Sequence, residues 1–478
     1  MATKLPLPVA SWKYNLVKQE NSQRQDALCL KRSALSLCLQ RPSEIIEHIL
    51  TMKIDKDHLK QIQAALSKLA EYGISLADET TYLSEENHDG LPDEMEIEDI
   101  ALLFPDDQDY TLLDTEDFLE YTDFGIDTIK RVGETMVRNG NIVQTVVNSV
   151  RMGYTRFEDR LSSFEFTDEK MSVSIVKSPF LVGVLNAKEG KYDEDFGLGA
   201  CEPYWAIEFK LKDDCDDKKL NELVEQICFY LTDKLEVEIY PWEGPDFNEI
   251  YDQMDEYYET YSDEDGELEI MNEEDEEHQV ELSALPVFTP LLRMYRQAKG
   301  VVNPEIQFLQ YYKIMEYVSP VVARSVAYEH LNKRLDLLPA VKRDHKYLDS
   351  ILAVARKYDK DMRDDTLAQA VIENCVDVIS IFKMLPQRVH RKVKATVKLQ
   401  KDILSDEEIT DEQLRVLQKQ IAGILYATRN SIVHAKSNYE TTGDEFLSVE
   451  MGEANKMMNT IARAIINWNQ RQPEWSRL

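Results

Sequence analysis

The spacing of apolar residues changes character along this chain of 478 residues. Within residues 1–150 the spacing is mostly helical, and DKDHLKQIQAALSKLAEYG predicts a helix that ends in a C-terminal cap at Gly73. We also expect helices at PSEIIEHIL and NIVQTVVNSVRMG, with loops and short helices in the acidic stretch from Glu85 to Asp127. The pattern therefore predicts a mainly helical N-terminal region.

A strand-like pattern begins near Met171. Three segments rich in β-branched and aromatic residues predict strands, namely SVSIV, PFLVGVL and WAIEFKLK. They are followed by KKLNELVEQICFYLTDKL, which predicts an amphipathic helix, and by a further strand in EVEIYPW. We therefore predict a small α/β domain over residues 151–243.

The segment over residues 244–285 is strongly acidic, and we interpret it as a solvated linker because like charges keep such a chain from folding on itself. A calcium-binding loop is excluded: with Gly266 in the place of the loop glycine, Tyr261 and Asn272 occupy the first and twelfth ligand positions. A second role stays open, in which residues 252–277 cover a polyanion site as a mimic of phosphate.

Residues 286–478 show one helical pattern after another, beginning with EIQFLQYYKIMEYV and PVVARSVAYEHLNKRL. Thr410 and Gln413 form a capping pattern at the start of one helix. The last helix has apolar residues that step by four and three: Leu447, Met451, Ala454, Met458, Ile461, Ile465 and Trp468. Such stripes predict a C-terminal all-α helical bundle, so the expected fold class is multidomain α+β.

Charge is divided unevenly between the two parts of the chain. The net charge is −34, yet Val287–Leu478 carries 29 Lys+Arg against 24 Asp+Glu, which leaves 26 against 65 in the remainder. The basic C-terminal part of the chain is therefore the better candidate for binding a polyanion. No apolar run reaches the roughly 20 residues of a membrane span, and the six cysteines show no CxxC spacing. We expect a cytoplasmic protein with reduced cysteines and no membrane partner.

One polar motif interrupts this helical region. Arg429, Asn430 and His434 lie at the end of the predicted helix that begins after Thr410. On a straight helix, residues five apart are separated by about 140°, whereas Asn430 and His434 share a face. The arginine must bend round, the helix must distort, or a second copy of the motif must supply the missing group. A simpler reading is also open, in which a cation stabilises the helix C-terminus.

This Arg-Asn-x-x-x-His motif, in a helical region that opens with FLQYYKIMEY, resembles the HEPN superfamily of ribonucleases, in particular its ApeA-like branch. The resemblance covers about Val287–Leu478 and implies a metal-independent endoribonuclease without cofactors. It implies that His434 acts as base or acid, Arg429 as transition-state clamp and Asn430 as positioner, with Glu316 in support. A polar position on the outer face of its helix is an equal alternative for Glu316.

The family also implies that two copies place their motifs in one composite cleft, as a homodimer or higher oligomer. Cleavage by the 2′-hydroxyl would then leave a 2′,3′-cyclic phosphate. A regulated toxin of phage defence or of a stress response fits this resemblance, with a phage-derived trigger or regulatory partner acting on the N-terminal region. The alternative function is a non-catalytic RNA-binding or protein-interaction adaptor.

A strongly basic stretch, KMLPQRVHRKVKATVKLQK, precedes the motif. Five of its cations could hold RNA phosphates without reading sequence: Arg388, Arg391, Lys392, Lys394 and Lys398. An ordinary solvated helix is an equally weighted reading of the same charges. A second spacing of the motif type, Arg324 to His330, falls inside a continuous amphipathic helix, and we interpret it as surface charge.

Overall fold

The computed structural model describes the following residues: 52–77, 94–97, 99–105, 110–133, 135–149, 161–190, 205–241, 278–335, 346, 349, 351–353, 364–399, 409–434 and 443–478. The chain divides into the units Met1–Met52 and Lys53–Leu478. Apart from Met52, all of the elements below belong to the second unit. The predicted helix at PSEIIEHIL and most of the acidic segment lie outside the described residues.

The first elements form a small layer of helices and short strands. They are β1 (Met52–Asp55), α1 (Lys56–Glu71), β2 (Ser75–Leu76), β3 (Glu94–Ile97), β4 (Asp99–Leu103), β5 (Thr111–Asp114) and α2 (Thr115–Thr122). The Asp55 carboxylate caps α1 by accepting the backbone N–H groups of Asp57 and His58. Gly73 follows α1 with a φ of 82°, which confirms the predicted helix and its glycine cap. The strands β2, β4 and β5 form a three-stranded antiparallel sheet in the order β2-β4-β5.

A larger, eight-stranded sheet follows. Its elements and the helices between them are β6 (Lys130–Val132), β7 (Met136–Asn139), β8 (Ile142–Asn148), β9 (Phe164–Thr167), β10 (Met171–Lys177), α3 (Phe180–Lys188), β11 (Trp205–Leu211), α4 (Asp217–Leu235), β12 (Tyr240–Pro241) and β13 (His278–Glu281). The strand order is β13-β9-β10-β11-β8-β7-β6, with β12 paired to the end of β8. The pairing of β13 with β9 is parallel and the other pairings of this sheet are antiparallel.

Helices cover both faces of this sheet. The apolar side of α4, including Leu220, Ile227 and Leu231, packs on one face in a common core with Phe209 and Val173. On the other face, the hydroxyl group of Tyr121 in α2 donates a hydrogen bond of 2.7 Å to the Glu208 carboxylate in β11. The same carboxylate oxygen accepts the Gln144 side-chain amide of β8 at 2.6 Å. Because both faces are covered, β8 is buried along nearly its whole length.

The remaining helices form a layer beside the sheet. They are α5 (Pro290–Gly300), α6 (Pro304–Leu335), α7 (Asp364–Cys375), α8 (Val378–Met384), α9 (Gln387–Val397), α10 (Asp411–His434) and α11 (Met451–Gln470). The Thr410 hydroxyl accepts the backbone N–H of Gln413, whose side chain accepts the backbone N–H of Thr410. This confirms the predicted capping pattern at α10. The predicted stripe of the last helix is confirmed from Met451 to Trp468, because these residues are buried in α11. Its first residue was wrong, because Leu447 precedes the helix and is 51% exposed.

The predicted fold class is wrong in its parts, although the coarse α+β class is consistent with the structure. The region predicted as mainly helical contributes strands β1 to β8, and NIVQTVVNSVRMG contains β8 rather than a helix. The predicted strand PFLVGVL is helix α3. Both elements are buried on nearly all sides, polar residues included, and in such segments spacing does not separate helix from strand. The end of the predicted linker forms β13.

The helices after Pro290 are not a freestanding all-α bundle. Phe229 of α4 belongs to their hydrophobic core, where its ring meets that of Tyr295 at a centroid distance of 5.1 Å. Sequence spacing identified the apolar face of those helices that it predicted. It could not identify the element that covers that face, and here the sheet's own helix α4 covers part of it.

Charged side chains join α4 to the helical layer as well. Glu225 of α4 is 6% exposed. Its carboxylate accepts hydrogen bonds from two arginines of α5, Arg296 and Arg293, the latter at 2.7 Å. In the last turn of α4, the Asp233 carboxylate accepts hydrogen bonds from the Tyr295 hydroxyl at 2.8 Å and from the Arg463 guanidinium of α11. The sheet and the helical layer therefore share a buried polar interface.

None of the described helices has both the length and the apolar character that crossing a membrane requires. The three cysteines in the described part of the chain are free thiols: Cys215, Cys228 and Cys375.

Candidate functional site

The motif occupies the last turns of α10. Leu417, Ile421, Leu425 and Thr428 are buried along the inner side of this helix and fix its orientation. Thr428 ends this stripe: its hydroxyl donates to the carbonyl oxygen of Ile424 at 2.8 Å and accepts a backbone N–H from a later segment. After Thr428, Ile432 still packs against the helical core, whereas Val433 and His434 at the end of the helix are exposed.

Arg429 lies between two polar partners. Its guanidinium is 3.2 Å from the Glu316 carboxylate of α6, and these side chains are 26% and 45% exposed. It also donates a hydrogen bond of 3.0 Å to the side-chain oxygen of Asn430. The structure thus brings Glu316, Arg429 and Asn430 together. These are three of the four residues that the resemblance implied, without His434, and the spacing alone could not have located Glu316.

His434 is the last residue of α10 and is exposed. The helix continues through the motif up to this residue, so its backbone is not broken between Arg429 and His434. Arg429 and His434 therefore leave the helix about 140° apart, while Asn430 and His434 lie on one side. The polar residues 435–442 that follow lie outside the described residues.

The five predicted RNA-binding cations separate into two groups on α9. One side of this helix is buried and consists of Val389, Val393 and Val397. Arg388 and Lys392 share one flank of the helix and both bind groups of the segment Gly443–Glu450. Arg388 holds both carboxylate oxygens of Glu450, at 2.9 and 2.7 Å.

Electrostatics at the Arg388 pair favour the ionised forms. The hydrogen bonds that Arg388 donates to the Glu450 carboxylate raise the pKa of Arg388 above its usual value. Burial alone would raise the pKa of Glu450, but the Arg388 guanidinium and the backbone N–H of Leu447 hold that pKa below its usual range. The pair is therefore charged at neutral pH, and RNA phosphate would have to compete with a fixed carboxylate for Arg388.

Arg391, Lys394 and Lys398 form the second group. Arg391 and Lys398 are exposed and Lys394 is half-buried. Arg391 lies opposite the buried valines of α9, and Lys394 lies one turn further along, on the flank away from Arg388 and Lys392. Lys398 follows as the C-terminal cap with a φ of 61°. These three cations form the outward basic stripe of α9.

The second spacing of motif type lies on a different surface. Arg324 and His330 are both exposed on α6, C-terminal to Pro320. Their exposure agrees with the interpretation as surface charge.

Sequence reasoning missed the segment Gly443–Glu450, which returns to the end of α10. A signal was present: Asp444, Glu445 and Glu450 place acidic residues after the motif, opposite in sign to the cations of α9. Complementary charge does not by itself define a contact, because most such residues are solvated.

Comparison of the chain with family models, with curated proteins and with solved structures finds no match. The resemblance carried by Arg429, Asn430 and His434 therefore stays a prediction. Within the described ranges, no group of three or more His, Cys, Asp or Glu side chains has an arrangement that could hold a metal ion.

Proposed function

We propose that this chain is an endoribonuclease of HEPN type that cleaves RNA without a metal ion, at the end of α10. The observation that carries the proposal is the arrangement around Arg429, whose guanidinium contacts Asn430 at 3.0 Å and Glu316 at 3.2 Å, in the same helix end that carries the exposed His434. A guanidinium held in a partly exposed position suits a phosphate, because its forked donors match phosphate oxygens.

The chemistry needs a proton acceptor, a proton donor and a cation. The 2′-hydroxyl loses its proton and attacks phosphorus, and the bond to the 5′-oxygen breaks as that oxygen gains a proton. Histidine can exchange protons near neutral pH, and arginine stabilises the extra negative charge of the phosphorane. In this proposal His434 exchanges the proton and Arg429 binds the phosphorane, so the products carry a 2′,3′-cyclic phosphate and a 5′-hydroxyl.

A single copy supplies one histidine of this motif, so the proposal includes a second copy that completes the cleft. Apolar exposure beside the motif supports this. Tyr317 and Val433, which adjoin Glu316 and His434 in sequence, are 42% and 50% exposed. Burial of such side chains would favour association of two helical layers at this end.

The outward basic stripe gives RNA a nonspecific electrostatic contact in this proposal. We assign RNA backbone binding to Arg391, Lys394 and Lys398. A cytoplasmic toxin of phage defence or of a stress response, triggered through the N-terminal region, is the biological role that the resemblance favours.

The test is the sequencing of RNA ends after expression of the wild type, His434→Ala and Arg429→Ala. His330→Ala is the matched control, because His330 is an exposed histidine of the second spacing on α6. We expect new 5′-hydroxyl and cyclic phosphate ends with the wild type and the control, and their loss in both motif variants. Cleavage by the purified protein should also persist in EDTA. New ends that are unchanged in folded His434→Ala would contradict the proposal.

One observation favours a second function, that of a non-catalytic adaptor. The Glu316 carboxylate already neutralises Arg429, as expected for a polar contact that only packs two helices. Under this alternative, Arg429→Ala and Glu316→Ala would change oligomeric state or RNA binding equally, and no variant would change the pattern of RNA ends.

A further inference from the structure

The segment Gly443–Glu450, which we call the strap, connects α9, α10 and α6 at the end of the helical layer. Its middle residue Phe446 is 4% exposed, and the Phe446 ring meets that of Phe308 in α6 at 6.2 Å. The Ser448 hydroxyl donates to the Glu305 carboxylate of α6 at 2.9 Å. The strap is therefore packed on α6 by both an apolar and a polar contact.

The strap also touches the residue immediately before the motif. The backbone N–H of Phe446 donates to the Thr428 hydroxyl at 3.0 Å, and Thr428 is fully buried. Because Thr428 precedes Arg429 in the same helical turn, the position of the strap sets the position of the turn that carries the guanidinium.

Two cations of α9 bind the strap through hydrogen bonds and ion pairs. Arg388 binds the Glu450 carboxylate through two hydrogen bonds and donates a third, of 2.6 Å, to the carbonyl oxygen of Glu445. Lys392 donates to the carbonyl oxygen of Gly443 at 3.0 Å and pairs with Asp444. Both ends of the strap are thus fixed to one helix, with Phe446 between them.

We propose that Arg388 and Lys392 are positioning residues: they hold the strap, and through Phe446 and Thr428 the strap holds Arg429 where a phosphate can bind. This inference rests on the proposed ribonuclease function. It reverses the sequence prediction for these two residues, which assigned them to RNA binding. The outward stripe of α9 keeps that role.

The inference predicts different kinetic effects for neighbouring arginines. Arg388→Gln loosens the strap, so kcat should fall by about 10-fold to 100-fold, since small displacements of a catalytic group have effects of this size. KM should change by less than about threefold, because the RNA contacts lie elsewhere. Arg391→Gln should instead raise KM. Arg324→Gln, an exposed arginine on α6, is the matched control and should change neither.

Two further measurements separate positioning from a general loss of structure. Glu450→Gln should also lower kcat, and the double variant should lose less than the sum of the two single effects, since both substitutions remove the ion pair that Arg388 and Glu450 share. Amide hydrogen exchange should become faster at Phe446 and in the last turns of α10, but not in α11. Arg388→Lys, which keeps the charge, should recover part of kcat.

The outcomes are distinguishable from failure of the proposed function. If His434→Ala cleaves RNA like the wild type, the ribonuclease proposal fails, and hydrogen exchange in Arg388→Gln still decides whether Arg388 holds the strap. If His434→Ala is inactive but Arg388→Gln changes only KM, as Arg391→Gln does, the positioning role is overturned. Unchanged exchange at Phe446 in Arg388→Gln would overturn it as well.

Discussion

The buried ion pair between Glu225 and Arg296 gives the sharpest prediction for stability. Arg296 is 6% exposed; it donates to Glu225 of α4 and, at 3.0 Å, to the carbonyl oxygen of Ile239. Arg296→Met keeps much of the apolar volume but removes both contacts. We expect this variant to weaken the attachment of the helical layer to the sheet.

The magnitude follows from what remains unpaired. Removal of one partner from a buried ion pair costs about 3–5 kcal/mol, and loss of a donor to a buried carbonyl adds about 1 kcal/mol. Arg293 offsets part of this cost, because its hydrogen bond of 2.7 Å still compensates the Glu225 carboxylate. We therefore expect a loss of about 3 kcal/mol. Arg293→Met is the matched control: Arg293 is 56% exposed, so its loss should cost about 1 kcal/mol or less.

The measurement is guanidinium chloride unfolding followed by far-ultraviolet circular dichroism, with the free energy taken from the midpoint and slope. The double variant Arg296→Met/Glu225→Leu should be more stable than Arg296→Met alone, since it leaves no uncompensated carboxylate in the interface. A loss below about 1 kcal/mol for Arg296→Met would refute the reasoning. So would a double variant whose loss equals the sum of the single losses.

Three further predictions concern pH and backbone geometry. Burial raises the pKa of Glu208, so its carboxyl group stays protonated to higher pH in the folded chain than in the unfolded chain. Stability therefore falls as pH rises from the unfolded pKa through the raised folded pKa. Glu208→Gln should flatten this part of the profile of unfolding midpoint against pH. The pKa of Asp377 is shifted in the opposite direction. Burial would raise this pKa, but hydrogen bonds from the first turn of α8 hold it below its usual value. The contribution of Asp377 to stability is therefore lost as pH falls through the lowered pKa. Asp377→Ala should cost about 1 kcal/mol at neutral pH and much less in acid, and an equal cost at both pH values would contradict the charge argument. Gly140 and Gly190 both have positive φ, but an added Cβ at Gly140 would lie 2.1 Å from the Phe124 ring, whereas nothing lies within 4 Å at Gly190. In the same unfolding assay, Gly140→Ala should therefore cost about 1 kcal/mol more than Gly190→Ala, and equal costs would exclude the steric contribution.

Sequence spacing was most informative where one side of a helix faces water. Helices α1 and α11 combine periodic apolar residues with a polar side, and both were predicted. The caps at Gly73 and Thr410 were also predicted, because a cap depends on residues close together in sequence. Sequence spacing failed at Ile142–Asn148 and Phe180–Lys188, where strand and helix are buried on all sides. A segment that is buried on both sides shows no clear apolar and polar period, so tertiary burial decides its conformation.

The candidate site shows the same division. The residue types in Arg429–His434 and their place at a helix end are properties of the sequence. The nearness of Glu316, separated by more than a hundred residues, is a property of how α6 packs on α10.

The sequence by itself determined the helices of the C-terminal region, the motif and the positive charge of α9, because these depend on neighbours within a few residues. Only the tertiary structure decided that the helical layer shares its core with α4, and that Arg388 and Lys392 face the strap while Arg391 does not. The physical reason is that a cation binds whichever carboxylate or carbonyl the fold brings within about 3 Å, and that distance is fixed by packing between segments far apart in the chain.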